Sequence, residues 1–137
     1  MTYLINNLLQ SYTKKLIILI NLIIFKENFM LLDVRTYTCK PGTIKTHLNL
    51  YKEKGKPVQS KHLGQPLLFA TTETGNPNEY THIWVYKSAD DREKKRAAMW
   101  ADPDWINYTQ ESAQLGALEA QQNKLLKPVD FYQFNPE

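Results

Sequence analysis

The sequence predicts a small α+β domain over residues 30–137, with strands and helices in the order βαββαβ. Three patterns support this fold class. Apolar and polar residues alternate in segments of strand length, apolar residues recur at helical spacing between those segments, and glycine and proline mark the connections. A domain of about a hundred residues buries enough surface to have a core of its own.

Alternation predicts three strands, over residues 31–38, 67–73 and 80–87, with residues 75–78 as the hairpin connection between the second and the third. The first strand has two faces, one with Leu32, Val34 and Thr36 and the other with Asp33, Arg35 and Tyr37. The third strand places Thr81, Ile83 and Val85 opposite Tyr80, His82, Trp84 and Tyr86. Two of the strands therefore each have one face that carries aromatic side chains.

The first helical segment lies between the first two strands. Thr43 is placed to cap its first turn. The residues that share one face of this helix are Ile44, Leu48 and Tyr51. Gly55 and Pro57 are predicted to interrupt it, and a short second piece runs to His62.

The second helical segment follows the third strand. Ser88 and Asp91 have the spacing of a capping box and begin a helix that runs to about residue 101. Residues 102–103, Asp-Pro, are typical of a cap and a first helical residue, so they begin another helix. Gly116 lies near the end of that helix, and the last strand is predicted within residues 119–134.

The order βαββαβ is the ferredoxin-like motif, in which the helices cover one face of a four-stranded antiparallel sheet. The other face presents roughly 400 Å², a size at which an exposed apolar patch indicates a partner. The sequence leaves open whether that face carries an aromatic set or an aliphatic set. The first comprises Tyr37, Tyr80, Trp84 and Tyr86, and the second Leu32, Val34, Ile83 and Val85. Both are too apolar for water, so we expect a homodimer through this face, with Trp84 and Ile83 as candidate contact residues.

The first 29 residues differ in composition from the rest, with no glycine, alanine, proline, valine, aspartate or arginine. Their apolar run, residues 16–25, is shorter than the ~20 residues that cross a bilayer. It follows two lysines, as in a signal peptide, but no small-residue cleavage site comes after it. AT-rich codons and a Lys-Glu pair that can encode a bacterial ribosome-binding sequence favour Met30 as the true start. We therefore expect residues 1–29 to be non-native or unstructured, with a real signal or membrane anchor as the alternative.

Charge argues against a nucleic-acid partner. Three lysines and one glutamate in residues 1–29 account for +2 of the net charge of +3, which leaves the domain at +1. A nucleic-acid binder needs clustered positive charge. The densest basic cluster, residues 92–96, is interleaved with acidic residues and is typical of a solvated helix face.

Four segments have a recognisable order along the chain. They are residues 31–42 (LLDVRTYTCKPG), 62–64 (HLG), 78–87 (NEYTHIWVYK, followed by Arg92 and Arg96) and 101–105 (ADPDW). Together they resemble the NIPSNAP family over residues 30 to about 134. The resemblance implies a dimeric α/β-barrel fold, in which two ferredoxin-like sheets close on each other.

The resemblance implies little chemistry. Eukaryotic NIPSNAP members are associated with mitochondria and vesicle-related roles, and bacterial members are mostly uncharacterised. The wider dimeric α/β-barrel group includes cofactor-independent monooxygenases, haem-degrading enzymes and small-molecule isomerases, which is an analogy of fold only.

Five side chains are candidates for ligand binding because they share one sheet face on adjacent strands. They are Arg35, Tyr37, His82, Trp84 and Tyr86. A buried arginine and histidine need partners, for which Asp33 and Glu73 are candidates. One interpretation is a site for an aromatic or carboxylate-bearing ligand, with Arg35 binding the anion and His82 acting as acid or base. The other is a buried polar network that fixes the register of the dimer.

Other reactive side chains give weaker signals. Trp100 and Trp105 are predicted to cap the helix layer rather than to form an oxygenase pocket. His47 and His62 lack the spacing of a metal site, so neither a metal nor a cofactor is predicted, with a histidine-ligated haem as the alternative. The single cysteine, Cys39, is interpreted as an ordinary strand-end thiol, and a reducing compartment such as the cytoplasm fits it.

The sequence predicts no catalytic residue and leaves open whether the domain is an enzyme. The first functional hypothesis is a NIPSNAP-type homodimer that binds a small molecule. The second is a cofactor-independent monooxygenase or haem-degrading enzyme. The third, an RNA-recognition module, shares the element order, but the segment 80–87 lacks its glycine-containing aromatic signature.

Overall fold

A computed structural model of the protein describes residues 9–20 and 30–132. Residues 9–20 form a helix with exposed side chains, and no helix in the described ranges is both long and apolar enough to span a membrane. Most of the segment predicted to precede a start at Met30 lies outside the described residues, as does the end of the predicted last strand. The boundary at residue 30 therefore stays a prediction.

The described domain has four strands and two helical segments in the predicted order. The strands are β1 (Leu31–Cys39), β2 (Leu68–Thr71), β3 (Glu79–Tyr86) and β4 (Leu118–Leu126). The helices are α1 (Ile44–Leu50), α2 (Lys56–Leu63), α3 (Ala89–Trp100) and α4 (Pro103–Leu115), and a π-helical turn, Tyr51–Gly55, joins α1 to α2. The order βαββαβ is therefore confirmed.

The four strands form one antiparallel sheet in the order β2-β3-β1-β4. The two central strands, β1 and β3, pair with Val34 opposite Ile83 and Arg35 opposite His82. This register sets Arg35 and His82 side by side on one face of the sheet, because cross-strand partners point the same way. The ferredoxin-like prediction is confirmed.

The structure decides which side chains the helices cover. Along β3, the residues that alternate into the core are Tyr80, His82, Trp84 and Tyr86. The aliphatic set of Leu32, Val34, Ile83 and Val85 occupies the opposite face and is only partly covered. Trp84 is 1% exposed and belongs to the core of the single chain, so its selection as a candidate for the open face was wrong.

The π-helical turn keeps the first helical segment continuous from residue 44 to residue 63. Pro57 lies in the first turn of α2, where a missing N–H does the least harm. Gly55 is needed for close packing: a Cβ there would lie 2.7 Å from Cδ2 of Tyr51 and 2.8 Å from Cζ of Tyr108. The regular α-helix is thus interrupted near Gly55, as predicted, but by a π-helical turn and not by a break, and the predicted second piece is α2, which ends at Leu63.

Two of the three predicted helix caps form a side-chain hydrogen bond to the first turn of their helix. Ser88 Oγ accepts from the backbone N–H of Asp91 at 3.0 Å, and Asp102 Oδ1 accepts from Asp104 N at 3.0 Å. Both caps are confirmed. Thr43 is at the predicted position, but its hydroxyl instead donates to the carbonyl of Lys40 at 2.7 Å.

Candidate ligand-binding site

A cavity of about 320 Å³ lies between the helices and the face of the sheet that they cover. Three of the five predicted site residues line it, namely Arg35, Tyr37 and His82. Trp84 and Tyr86 continue the same face of β3 but are buried in the core beyond the cavity. The structure therefore brings together part of the predicted group and assigns the rest to packing.

A buried carboxylate holds Arg35 in place. Asp33 is 0% exposed, and its Oδ1 lies 3.0 Å from Nε of Arg35 while its Oδ2 lies 2.8 Å from Nε of Arg92. Asn123 of β4 donates to Oδ1 at 3.3 Å. Burial alone raises the pKa of Asp33, but the hydrogen bonds and charges of the two arginines outweigh burial and lower this pKa. Asp33 is thus the predicted partner of Arg35, whereas Glu73 is exposed and pairs with none of the described cations.

Arg96 of α3 is a cavity residue that the sequence interpretation missed. Its neighbour one turn earlier, Arg92, binds Asp33, so the side of α3 that carries both arginines faces the sheet. Burial first, and then the charge of nearby Arg35, lowers the pKa of Arg96. The prediction that residues 92–96 form a solvated helix face was wrong for these two arginines, and their i, i+4 spacing was the available signal.

His47 and Tyr80 form a buried pair at the cavity wall. Nε2 of His47 lies 2.7 Å from the hydroxyl of Tyr80, and the two side chains are 0% and 4% exposed. Burial lowers the pKa of His47 and raises that of Tyr80. Both groups are therefore neutral at physiological pH, and the pair offers hydrogen bonds without charge.

His82 lies between two aromatic rings. Its imidazole stacks on Tyr37 with ring centroids 5.4 Å apart and on Phe69 at 5.3 Å. Burial, followed by the charge of Arg35, lowers the pKa of His82 to about 4. The imidazole is consequently neutral at pH 7, and its Nδ1 is buried without a hydrogen-bond partner in the described part of the chain.

Aromatic side chains supply most of the remaining wall. Tyr51 stacks on Phe69 at 4.9 Å, and Trp105 contacts Tyr108 at 5.1 Å and the edge of Trp100 at 5.9 Å. All five of these rings line the cavity. The prediction that the two tryptophans cap the helix layer missed that both also line the cavity. Trp105 is buried there, and the half-exposed Trp100 lies at the rim.

The remaining candidates lie elsewhere. His62 Nε2 is 2.7 Å from Asp102 Oδ2, in a contact between α2 and the cap of α4. Cys39 is buried at the end of β1, as predicted for a strand-end thiol. Within residues 9–20 and 30–132, no group of three or more His, Cys, Asp or Glu side chains is arranged to hold a metal ion.

The sequence pattern that defines the NIPSNAP family matches residues 32–133. The chain belongs to the NIPSNAP family. A NIPSNAP family protein of unknown function from Agrobacterium tumefaciens has a similar solved structure, with 35% identity and a TM-score of 0.69 over 77% of this chain and 93% of that one. An uncharacterised NIPSNAP-like domain protein from Burkholderia xenovorans superposes with a TM-score of 0.70 and 28% identity, over 77% and 90% of the two chains.

This NIPSNAP domain also shares its fold with a more distant protein. A putative antibiotic biosynthesis monooxygenase from Bacteroides thetaiotaomicron has a TM-score of 0.52 and 15% identity, over 79% of this chain and 94% of that one. At that identity the likeness is one of fold alone. No curated protein matches this chain in sequence.

Proposed function

We propose that this NIPSNAP protein is a homodimer that binds a small organic molecule in the cavity between its sheet and its helices. The cavity itself carries the proposal. It measures about 320 Å³, and its walls combine aromatic rings with polar side chains. Sites for small molecules have volumes of roughly 300–1,000 Å³ and pair mostly apolar walls with a few polar groups, which is the composition seen here.

Buried polar atoms support binding over simple packing. Nδ1 of His47, Nδ1 of His82 and Nε1 of Trp105 are buried and lack hydrogen-bond partners among the described residues, and all three side chains line the cavity. A buried polar atom without a partner costs about 1–3 kcal/mol. Such atoms are tolerated at sites where a ligand or ordered water completes the hydrogen bonds.

The homodimer is proposed from the sheet face that no helix covers. Its central strands carry aliphatic side chains, and Leu68 and Leu126 on the outer strands are 44% and 47% exposed. Every residue of β4 is exposed, and beyond it Phe131 is 92% exposed. A second copy of the chain supplies a matching apolar surface, and a two-fold axis closes the assembly.

A pair of matched variants tests the proposal. Ala113 lines the cavity and is exposed at its rim, so Ala113→Trp should fill the entrance without disturbing the core. Ala98→Trp adds the same side chain at an exposed position of α3 outside the lining. Native mass spectrometry should show that all three purified proteins, the wild type and both variants, are dimers. Small molecules should co-purify with the wild type and with Ala98→Trp, and no small molecule should co-purify with Ala113→Trp. A monomer, or equal ligand content in both variants, would refute the proposal.

The alternative is a cofactor-independent monooxygenase or a haem-degrading enzyme. The observation that favours it is Arg35 in an aromatic cavity, because an arginine stabilises the anion that forms when a substrate loses a proton. His82 lies beside Arg35 as a neutral imidazole, but its pKa of about 4 makes it only a weak base. Oxygen consumption with phenolic substrates, or a shifted Soret band with haemin, would support this alternative. Neither signal is expected if the protein only binds its ligand.

We also propose that the protein is located in the cytoplasm, which is a reducing compartment. Cys39 is the only cysteine of the chain and is free. Burial raises the pKa of its thiol, so the reactive thiolate is scarce at neutral pH. Fractionation of the native cells followed by immunoblotting should find the protein with cytoplasmic markers, and recovery with the membrane or secreted fraction would contradict this location.

A further inference from the structure

We propose that the molecule bound in the cavity is an aromatic organic anion, a carboxylate in the simplest case, and that Arg96 binds its charged group. This inference rests on the proposed function, because it names the class of ligand for the same cavity. Two arginines and two histidines line the cavity, and none of its described lining residues is acidic. The wall is therefore positively charged at neutral pH.

The ion pairs around the sheet leave one guanidinium without a carboxylate partner. Asp33 is shared by Arg35 and Arg92, through contacts of 3.0 and 2.8 Å. Arg96 forms no ion pair with any carboxylate in the described part of the chain. The single negative charge of Asp33 thus faces three positive charges, which leaves a net positive charge, and Arg96 is the cavity arginine that has no carboxylate partner.

An arginine cannot relieve this situation by losing its proton, because the guanidinium stays protonated at any physiological pH. A partly buried, unpaired charge is costly, and the cost falls when an anion enters. The planar fork of the guanidinium matches the two oxygens of a carboxylate or of a phosphate and binds either through paired hydrogen bonds. Arg35 lies close enough to Arg96 for its charge to lower the pKa of Arg96, so both arginines attract the same anion.

The rest of the cavity selects an aromatic body over a bare inorganic ion. Phe69 stacks on Tyr80 with ring centroids 5.6 Å apart and on His82 at 5.3 Å, and all three rings line the cavity, so its wall is aromatic there. An inorganic phosphate would leave these rings and the buried pair of His47 and Tyr80 without contacts. A volume of about 320 Å³ accommodates a single ring with its substituents.

Probes and variants separate charge from shape. Benzoate, its neutral isostere benzamide, phenyl phosphate and inorganic phosphate are titrated by tryptophan fluorescence and by calorimetry, because Trp100 and Trp105 line the cavity. The variants are Arg96→Gln, Arg96→Lys and the control Lys94→Gln, which removes the same charge from an exposed position of the same helix. Thermal unfolding confirms that each variant is folded.

Benzoate is expected to bind at least 10-fold more tightly than benzamide to the wild type and to Lys94→Gln. Arg96→Gln should lose at least 10-fold of the affinity for benzoate and none for benzamide, and Arg96→Lys should recover part of it. If phenyl phosphate binds more tightly than benzoate, the ligand is an aromatic phosphate ester and not a carboxylate. If inorganic phosphate binds most tightly of all, the inference that the ligand is aromatic is refuted.

Equal affinity for benzoate and benzamide, or an Arg96→Gln variant that binds benzoate like the wild type, would overturn the inference. Binding of benzamide that Ala113→Trp abolishes would at the same time support the proposed function. If no organic probe binds at 10 mM, the aromatic anion is excluded, and the ligand content seen by native mass spectrometry decides the proposed function separately.

Discussion

The carboxylate of Asp33, which is 0% exposed, lies 2.8 Å from Nε of Arg92, a residue that follows 59 positions later in the chain. This contact fastens α3 to the first strand. It also fixes the spacing between the two arginines of the cavity, because Arg35 donates to both oxygens of the same carboxylate and Arg96 lies one turn beyond Arg92. The charge pattern of the cavity thus depends on a carboxylate outside its lining.

Replacing this carboxylate should be strongly destabilising. Asp33→Asn leaves two arginines without a counterion, and breaking a buried pair in this way costs about 3–5 kcal/mol. Since the pKa of Asp33 is lowered in the folded state, its contribution is complete above the unfolded pKa of about 3.8 and is lost only as pH falls through the folded value. Urea unfolding at pH 7 should therefore show the full loss of about 3–5 kcal/mol in the free energy of unfolding of Asp33→Asn.

The matched control for Asp33 is Asp90→Asn. Asp90 pairs with Lys94 on the surface of α3, where the two side chains are 72% and 75% exposed. An exposed pair of this kind contributes at most about 1 kcal/mol. Comparable losses for the two variants would mean that the contacts of Asp33 are no stronger than those of a surface salt bridge.

Opposite faces of β3 should respond differently to a buried charge. Ile83→Asp places a carboxylate on the face without helices, and we expect a folded monomer by circular dichroism and light scattering. Trp84→Asp places the same group in the core, where the native side chain is 1% exposed, so this variant should not fold.

The control for the two strand variants is Thr46→Asp, at an exposed position of α1, which should remain dimeric. A dimer of wild-type size for Ile83→Asp would show that the copies meet elsewhere. A monomer for Thr46→Asp would show that α1, rather than the bare sheet face, contributes to the interface.

Gly55→Ala tests the packing at the π-helical turn. Alanine favours a helix over glycine by about 1 kcal/mol. The added Cβ would nevertheless lie 2.7 Å from Tyr51 and 2.8 Å from Tyr108, and overpacking of this kind costs about 1–3 kcal/mol. We expect net destabilisation of about 1 kcal/mol in urea unfolding.

A double-mutant cycle isolates that contact. In a Tyr108→Leu background two of the three close ring atoms are gone, so Gly55→Ala should cost less there than in the wild type. The same cost in both backgrounds would assign the effect to the backbone of the turn and not to the tyrosine.

The order of the elements could be predicted from the sequence because its signals are local. Ser88 with Asp91, and Asp102 with Pro103, mark helix starts through contacts within one turn, and both are present in the structure. Which face of the sheet the helices cover was not predictable from the sequence. Alternation gives two apolar faces, and only the packing of the helices decides which of them is buried. Once the helices are placed, Trp84 is core and Ile83 is not.

The site was predictable only in part, for a related reason. Arg35 and His82 could be paired because neighbouring strands bring them side by side. His47 could not, because its role depends on Tyr80, 33 positions away, which it reaches only when α1 packs on β3. Arg96 was hidden by the acidic residues around it, which suggested a helix face turned to solvent.

His82 should make stability depend on pH between neutral and mildly acidic conditions. Burial holds the pKa of His82 at about 4 in the folded state, whereas a histidine in the unfolded chain has a pKa near 6.5. Below pH 6.5 the unfolded chain binds a proton at His82, whereas the folded protein binds it only below about pH 4. The contribution of His82 to stability is therefore complete above pH 6.5 and decreases as the pH is lowered from 6.5 to 4. The titration of His82 alone should lower the free energy of unfolding by about 2 kcal/mol from pH 7 to pH 5.

The variant that isolates this effect is His82→Phe, which keeps a ring between Tyr37 and Phe69 and removes the titrating group. Its loss of stability from pH 7 to pH 5 should be smaller than that of the wild type by the same 2 kcal/mol, with the remaining slope due to His47, whose pKa burial also lowers. Val58→Ala is the control, because it disturbs the buried core and removes no titrating group, so its slope should match the wild type. Parallel pH profiles for the wild type and His82→Phe would mean that the folded protein protonates His82 as readily as the unfolded chain does, and that the cavity is wetter than its aromatic walls imply.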